Sequence, residues 1–413
     1  MTSKTEYRTY PYRWVALFFF ACVQGVIALS WVVFSPIVSE AARHYDVTPM
    51  MIGLNSIVFM IAFVFLSIPA SWVIDRYGTK RGVGFGIVTA SVFAVIRAVA
   101  GDNYALVLTG SVGLALSQPF IVNAITTFTS RWFPLEERAT ASGIAILFQY
   151  IGIMVAMVVT PLLTIKFGIS GMLKIYAVLT VGTVVPFFIF VKERPPTPPA
   201  EEMERASMLD GMKSILRNRD MLILVAIFFI GLGGFDCIST WIEQIVAPRG
   251  FTIVQAGTLG GVLFLGGVTG CICLVPLSDK FRTRKWFLIL CAVAAVPSIA
   301  GLAFVTRYDL LLVSGFFLGF FMMSPGPVIL QYSAEVSYPI PEAASMGVLM
   351  VAGQISGATF IYLADATRAE NGAMTPFLIG LILLWGGIVM MGFKLNESPM
   401  LQAAKAEGEC KYI

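Results

Sequence analysis

Apolar residues fall along this chain in long blocks, broken by short clusters of charge, glycine and proline. Twelve blocks stand at 14–39, 50–74, 83–101, 104–129, 139–163, 172–191, 221–247, 254–277, 286–305, 309–334, 343–364 and 376–395. Each is close to the roughly 20 residues an α-helix needs to cross a hydrocarbon core about 30 Å thick. The pattern predicts an all-α membrane protein of twelve transmembrane helices. The first block is too long for a cleaved leader and is followed by charged flanks and a second span, so it is expected to be retained.

Composition agrees: 57% of the 413 residues are hydrophobic, 13% are charged, and the mean hydropathy is +0.83. The net charge is +4, and its placement matters more than its size. Of the 28 Lys and Arg, 21 fall in the N-terminus, alternate loops and C-terminus, and seven on the opposite side. Positive residues mark the cytoplasmic face, so both termini are expected there, in a multi-pass protein of the cell's inner (plasma) membrane. That asymmetry accounts for the basic balance without a nucleic-acid partner. Cys22, Cys237, Cys271, Cys273 and Cys291 lie within predicted spans and Cys410 in the tail, which reads as helix packing and not as an external disulfide framework.

Between the sixth and seventh blocks runs Lys192-Glu-Arg-Pro-Pro-Thr-Pro-Pro-Ala-Glu-Glu-Met-Glu-Arg205, leading into a possible surface helix at 207–217. It reads as a linker at 192–220 between bundles at 1–191 and 221–395, followed by a tail at 396–413. Two motifs recur across it. Asp75-Arg-Tyr-Gly-Thr-Lys-Arg81 returns 204 residues later as Asp279-Lys-Phe-Arg-Thr-Arg-Lys285. Phe133-Pro-Leu-Glu-Glu-Arg138, leading to Gln149-Tyr-Ile-Gly152, returns 205 later as Tyr338-Pro-Ile-Pro-Glu342, leading to Gln354-Ile-Ser-Gly357. Two motifs at nearly one offset indicate a duplicated six-helix unit, and parallel repeats of that kind place a binding site at mid-membrane. A monomer is expected.

These residues resemble the major facilitator superfamily of transporters, whose loop after the second helix follows G-x-x-x-D-(R/K)-x-G-x-(R/K)-(R/K). Asp75, Arg76, Gly78, Lys80 and Arg81 match it, with Ser71 in place of the first glycine. In the second copy Asp279, Lys280, Arg284 and Lys285 match, while Val275 and Arg282 replace the glycines. The resemblance implies two pseudo-symmetric six-helix bundles, and a carboxylate among cations that latches a gate at the helix ends. A stop-transfer charge cluster is the plainer alternative.

Charge in hydrocarbon costs about 2.5 to 3.5 kcal/mol on insertion scales, so it faces the protein interior or water. Asp236 is the most deeply placed carboxylate. Glu243, Glu335, Asp365 and Arg97 lie nearer span ends and read as interfacial. Asp236 has a local alternative, bonding to Ser239 or Thr240. At the repeat offset Trp31 maps onto Phe235 and Asp236, and Gln149 onto Gln354. Buried glutamines need partners, from a neighbouring helix or from a ligand. A carboxylate, an aromatic face and amide oxygens together suit an organic cation. Gln118, Pro119, Asn123 and Ser324-Pro-Gly-Pro327 are further candidates for cavity lining, although proline also serves helix packing.

A narrower resemblance is to the feline leukaemia virus subgroup C receptor-related family, implicated in choline, ethanolamine and haem handling. It rests on Arg13-Trp-Val15 through Ala28-Leu-Ser-Trp31, on Gln149-Tyr-Ile-Gly152, and on Ala334-Glu-Val-Ser-Tyr-Pro339 followed by Ala352-Gly-Gln354. It implies that Trp31 is the cavity tryptophan, whereas the family's cavity tyrosine would fall on Asp236. An acid there could also carry a coupling proton. Haem fits less well, because the single histidine, His44, is predicted in an outer loop.

The reading is a transporter working by alternating access on a choline-like or other amine or zwitterionic solute, with no cofactor or metal. Trp31, Phe235 and Asp236 would hold the cationic end, Gln149 and Gln354 would orient polar groups, and Gln118 and Asn123 would complete the lining. The rivals are a proton-coupled carrier of other metabolites or drugs (an organic anion, a vitamin, haem) and a membrane sensor that binds without transport. An enzyme is not expected: a metalloprotease helix needs two histidines in H-E-x-x-H, and this chain has one.

Overall fold

A computed structural model describes residues 9–134, 137–197, 217–281, 283–338 and 342–398. The surface helix expected at 207–217 lies outside the described residues except for Arg217, and Arg282, Pro339 and Cys410 lie outside them too. The contacts divide the chain into two compact units, Met1–Glu204 and Arg205–Ile413.

The first unit holds α1 (Tyr12–Val32), α2 (Val38–Tyr45), α3 (Pro49–Tyr77), α4 (Thr79–Ala98), α5 (Tyr104–Val122), α6 (Ala124–Trp132), α7 (Arg138–Gly182) and α8 (Val184–Phe190). The second holds α9 (Arg219–Thr240), α10 (Ile242–Val246), α11 (Ile253–Lys280), α12 (Lys285–Phe304), α13 (Tyr308–Met323), α14 (Pro325–Ser337), α15 (Glu342–Ala366) and α16 (Thr375–Lys394). Local chemistry starts and stops them. The Thr48 hydroxyl accepts from the Met51 amide with Pro49 at the first helical position, and Asn103 caps α5 in the same way. Thr252 and Gln255 form a reciprocal capping box at the start of α11. Gly78, at φ 100° and ψ 160°, ends α3 in a conformation that a side chain would strain.

Among the described residues eleven stretches are long and apolar enough to cross a membrane, against the twelve expected. The difference lies in Arg138–Phe190, 53 residues that would extend to about 80 Å if straight. They are not straight. Gly168 sits at φ 68° and ψ 173°, and the Thr160 hydroxyl lies 2.8 Å from the Tyr176 hydroxyl. Sixteen residues along one helix would separate those groups by about 24 Å, so the chain reverses at Gly168. The expected fifth and sixth spans are the two arms of that hairpin.

Each unit pairs its helices in one order. In the first, α1 packs on α7, α3 on α5, and α4 on α5 and α7. In the second, α9 packs on α15, α11 on α13, and α12 on α13 and α16. Lipid tails are as apolar as leucine, so close approach of small residues does much of the holding. A Cβ on Gly152 of α7 would fall within the Gly25 carbonyl of α1, and one on Gly319 of α13 within the Leu263 carbonyl of α11. The apolar side chains left exposed, Phe65 of α3 and Leu383 of α16 among them, suit a lipid-facing surface.

The first and fourth span of each unit are interrupted. The breaks fall after Val32 at the Ser35–Ile37 turn, at Asn123, at Trp241 and at Ser324. Broken helices are tolerated at membrane depth where protein or a cavity surrounds them. The charges expected at interfaces also differ: Arg97, Glu243 and Glu335 stand near helix ends but are 3%, 3% and 6% exposed, with Arg97 bonded to the Ser30 carbonyl and Glu335 paired with Arg284.

Gly152→Val should lower the melting temperature of the purified protein by several degrees, in line with about 1 to 3 kcal/mol for overpacking. Gly143→Ala, where the added methyl meets no atom within 4 Å, should leave it unchanged or raise it. Equal melting of the Gly152 variant and the parent would rule out this contact as a determinant of unit packing.

Candidate functional site

In the first unit the predicted polar residues gather at the breaks. Gln149 of α7 donates its Nε2 to Gln24 Oε1 at 2.9 Å, and Gln24 Nε2 donates to the Ile121 carbonyl at 2.6 Å. A relay of amides thus ties the fifth span to the first and the first to the fourth, two residues before the Asn123 break. Gln24 is fully buried and was not singled out by its sequence; its spacing seven residues before Trp31, on the same face of α1, is the signal that could have found it. Asn123 Nδ2 donates to the Ser67 carbonyl and hydroxyl at 2.9 Å and to the Ser71 hydroxyl at 3.1 Å, holding α3 against the broken fourth span. The indole N–H of Trp31 and the Oε1 of Gln118 are buried with no hydrogen-bond partner among the described residues. Those atoms are what a ligand or water would satisfy.

In the second unit Asp236 is 5% exposed and makes no hydrogen bond or ion pair with a described residue. The local hydroxyls do not serve it. Ser239 donates to the Phe235 carbonyl at 2.8 Å, and the Thr240 hydroxyl has no hydrogen-bond partner among the described residues. Phe235 packs edge-on against Phe264 of α11, ring centroids 5.3 Å apart, and the Cys237 thiol reaches the Phe360 carbonyl of α15 at 3.3 Å. Residues on either side of Asp236 point about 100° away round the helix, so its carboxylate projects between those two contacts. Gln354 of α15 is half-buried without a hydrogen bond to a described residue, one position after Gly353, where α9 packs through Leu232 and Phe228.

Seen from the basic end, the repeated loops share one device that the motifs did not reveal. In the first unit the Glu193 carboxylate accepts from the Thr79 and Lys80 backbone amides at 2.8 and 2.7 Å and pairs with Arg131. Free N–H groups and the positive end of α4 make a carboxylate stable there. Lys80 Nζ donates to the Phe188 carbonyl at 2.8 Å. Asp75, Arg76, Gly78, Lys80 and Arg81 line one cleft of 440 Å³ with Arg131 and Glu193. Arg76 lies 5.6 Å from the Trp72 ring and 5.9 Å from the Tyr77 ring.

In the second unit Glu397 takes the part of Glu193. It accepts from the Arg284 amide and the Thr283 hydroxyl, both at 2.8 Å, and Lys285 Nζ donates to the Phe393 carbonyl at 2.9 Å. Arg284 pairs with Asp279 at 2.5 Å and with Glu335 at 3.0 Å. Glu335 stands 204 residues after Arg131, so a cation that pairs with Glu193 in the first unit is replaced in the second by an acid that pairs with Arg284, 204 residues after Lys80. Lys280 is exposed and makes no ion pair among the described residues. The repeat of Glu193 at Glu397, again at offset 204, was the available sequence signal.

Burial pushes the Glu397 carboxyl upward, but the Arg284 amide, the Thr283 hydroxyl and the Ser398 and Lys285 amides together hold it below the ordinary 4.5. A depressed carboxyl contributes stability that is complete above its unfolded value and is lost as pH falls through the folded one. The melting temperature of Glu397→Gln should therefore lie a few degrees below the parent at pH 7, and the two should converge below about pH 4.5. A gap that does not shrink as the pH falls below about 4.5, or is absent at pH 7, would contradict the capping role.

The family model of the Major Facilitator Superfamily matches residues 20–361. Solute carrier family 49 member A3 of Xenopus tropicalis is 29% identical over 380 residues, 87% of this chain and 79% of the relative. The choline/ethanolamine transporter FLVCR1 of Mus musculus is 26% identical over 85% of this chain and 69% of its own length, and flvcr2a of Danio rerio 23% identical over 99% and 92%. A bacterial homolog of the human lysosomal transporter Spinster, in an inward-facing and unoccupied conformation, superposes with a TM-score of 0.73 at 13% identity, covering 98% of this chain and all of that one. A family model spanning most of the chain, the matching fold and the paired six-helix order lead to one conclusion: this protein belongs to the major facilitator superfamily, as a membrane transporter related to the FLVCR family.

Proposed function

We propose that this transporter moves a choline-like amine, cationic or zwitterionic, across the plasma membrane by alternating access, with both termini cytoplasmic. The observation that carries the substrate class is Asp236: a carboxylate 5% exposed within a span, with no cation paired to it among the described residues. A buried carboxylate needs a positive partner, and a transported ammonium provides one for part of the cycle. Trp31 would offer its ring face to the same cation. Gln149, already oriented through Gln24, and Gln354 would meet the hydroxyl or carboxylate end, with Gln118, Asn123 and Phe235 as lining. The choline/ethanolamine assignment of the FLVCR relatives favours the same class of solute.

The bundles would run from 1–191 and 221–395, joined by 192–220, and work as a monomer without cofactor, metal or chemical turnover of the solute. The loops at Asp75–Arg81 and Asp279–Lys285 would form the inner gate, with Glu193 and Glu397 setting the helix ends on which it turns. A second reading rests on the same acid, in which Asp236 exchanges a proton while the solute is bound elsewhere.

Purified protein should be stabilised against heat by choline. Asp236→Asn should weaken that binding tenfold or more, and Trp31→Ala by up to about 30-fold, the equivalent of roughly 2 kcal/mol. In liposomes, labelled choline should show counterflow; binding without counterflow would leave a sensor. Movement of protons with uptake, lost in Asp236→Asn, would replace the amine reading by the coupled carrier, and stabilisation by anions alone would defeat the cation site.

A further inference from the structure

Thr240 is the last residue of α9, four positions after Asp236. The Trp241 amide donates to the Cys237 carbonyl at 2.9 Å, so the helical turn runs through Thr240 before the break. The Trp241 indole fixes that turn by donating to the Ile361 carbonyl of α15 at 3.0 Å. Side chains four apart on one helix share a face, with their Cβ atoms about 5 to 6 Å apart. Asp236 and Thr240 therefore both project between the contact of Phe235 with Phe264 of α11 and that of Cys237 with the Phe360 carbonyl of α15.

The Thr240 hydroxyl breaks a habit of this protein. A threonine or serine inside a helix has a ready acceptor in the carbonyl four residues before it. Thr164, Thr180 and Thr258 each donate to that carbonyl at 2.8 Å, and so does Ser239, the residue next to Thr240. Thr240 is 1% exposed, and its hydroxyl has no hydrogen-bond partner among the described residues, its own backbone included. An acid and a hydroxyl thus lie buried on one face, one turn apart, and neither is bonded to a described residue.

A carboxylate only accepts, whereas a hydroxyl donates one proton and also accepts through its oxygen. Beside the acid the hydroxyl proton has its acceptor, and the oxygen remains for a donor. The pair then offers two acceptors, and a positively charged group that carries N–H donors satisfies both. A trimethylammonium has no N–H: it answers the charge of Asp236 and leaves the Thr240 oxygen unused. A primary ammonium has three N–H donors, which need acceptors once water is stripped from them.

We propose that Thr240 is a specificity-determining residue of the amine site, whose hydroxyl oxygen accepts an N–H from a primary ammonium held by Asp236. It distinguishes an ethanolamine-like head group from a fully methylated one. This rests on the amine reading above and adds to it a residue that acts on one class of amine alone.

The test is thermal melting of the purified protein titrated with ethanolamine and, separately, with choline, at constant ionic strength and neutral pH. In Thr240→Val, which keeps the shape and removes the hydroxyl, the half-saturating concentration of ethanolamine should rise about tenfold while that of choline stays within about twofold. Thr240→Ser, which keeps the hydroxyl, should hold the parent's ratio of the two. Should Thr240→Val fail to fold, Thr240→Cys, whose thiol is a weak acceptor, takes its place with the same selective loss expected. Equal changes for both amines, no change for either, or a Thr240→Ser that loses ethanolamine as Thr240→Val does, would overturn the role of Thr240 and leave the amine reading standing. A parent protein that responds to neither amine defeats that reading and this one with it.

Discussion

A backbone amide in hydrocarbon has no water to bond to, and every feature of this protein follows from how that demand is met or relaxed. Continuous helices satisfy it internally. Where the helices stop, something else must supply the bonds. Thr48, Asn103 and Thr252 do so at helix starts, and at the basic end two glutamates, Glu193 and Glu397, accept from the first amides of α4 and α12. The loops that join the second and third helix of each unit are thereby tied to the segment that follows the sixth.

The same demand explains why polar side chains inside the spans carry information. Gln24 and Gln149 spend their amides on each other and on the Ile121 carbonyl, and Asn123 spends its amide on Ser67 and Ser71. These groups hold the first unit's broken spans in place. Asp236, the Trp31 indole and the Arg97 guanidinium are different: they are buried with bonding capacity unspent among the described residues. In a low-dielectric setting unspent polar capacity is costly. Such groups are where a solute, an ion or water has most to contribute.

Duplication shaped the two units without keeping their chemistry identical. Helix pairing and the interrupted first and fourth spans recur in both units, and the glutamate caps recur at an offset of 204 residues. Yet Arg131 is answered by Glu335, and Trp31 by the Phe235–Asp236 pair. Arg97 of the first unit and Asp236 of the second are both buried without an ion pair among the described residues.

Hydropathy alone determined the class of protein and the pattern of helical blocks, because a membrane span must be long and apolar wherever it later packs, and the internal repeat followed from two motifs that recur at an offset of 204 or 205 residues. The family followed from residues in two loops, whose charges lie outside the lipid and so remain legible as motifs. Tertiary structure decided the rest. That Arg97, Glu243 and Glu335 are buried, that Gln149 is bound through Gln24, and that Ser239 ignores Asp236 all depend on which helix lies alongside. The merging of two spans through Gly168 likewise needed the Thr160–Tyr176 bond to show the reversal. A one-dimensional pattern records how apolar each position is, whereas the partner of a polar atom is set by the packing of helices distant in the chain.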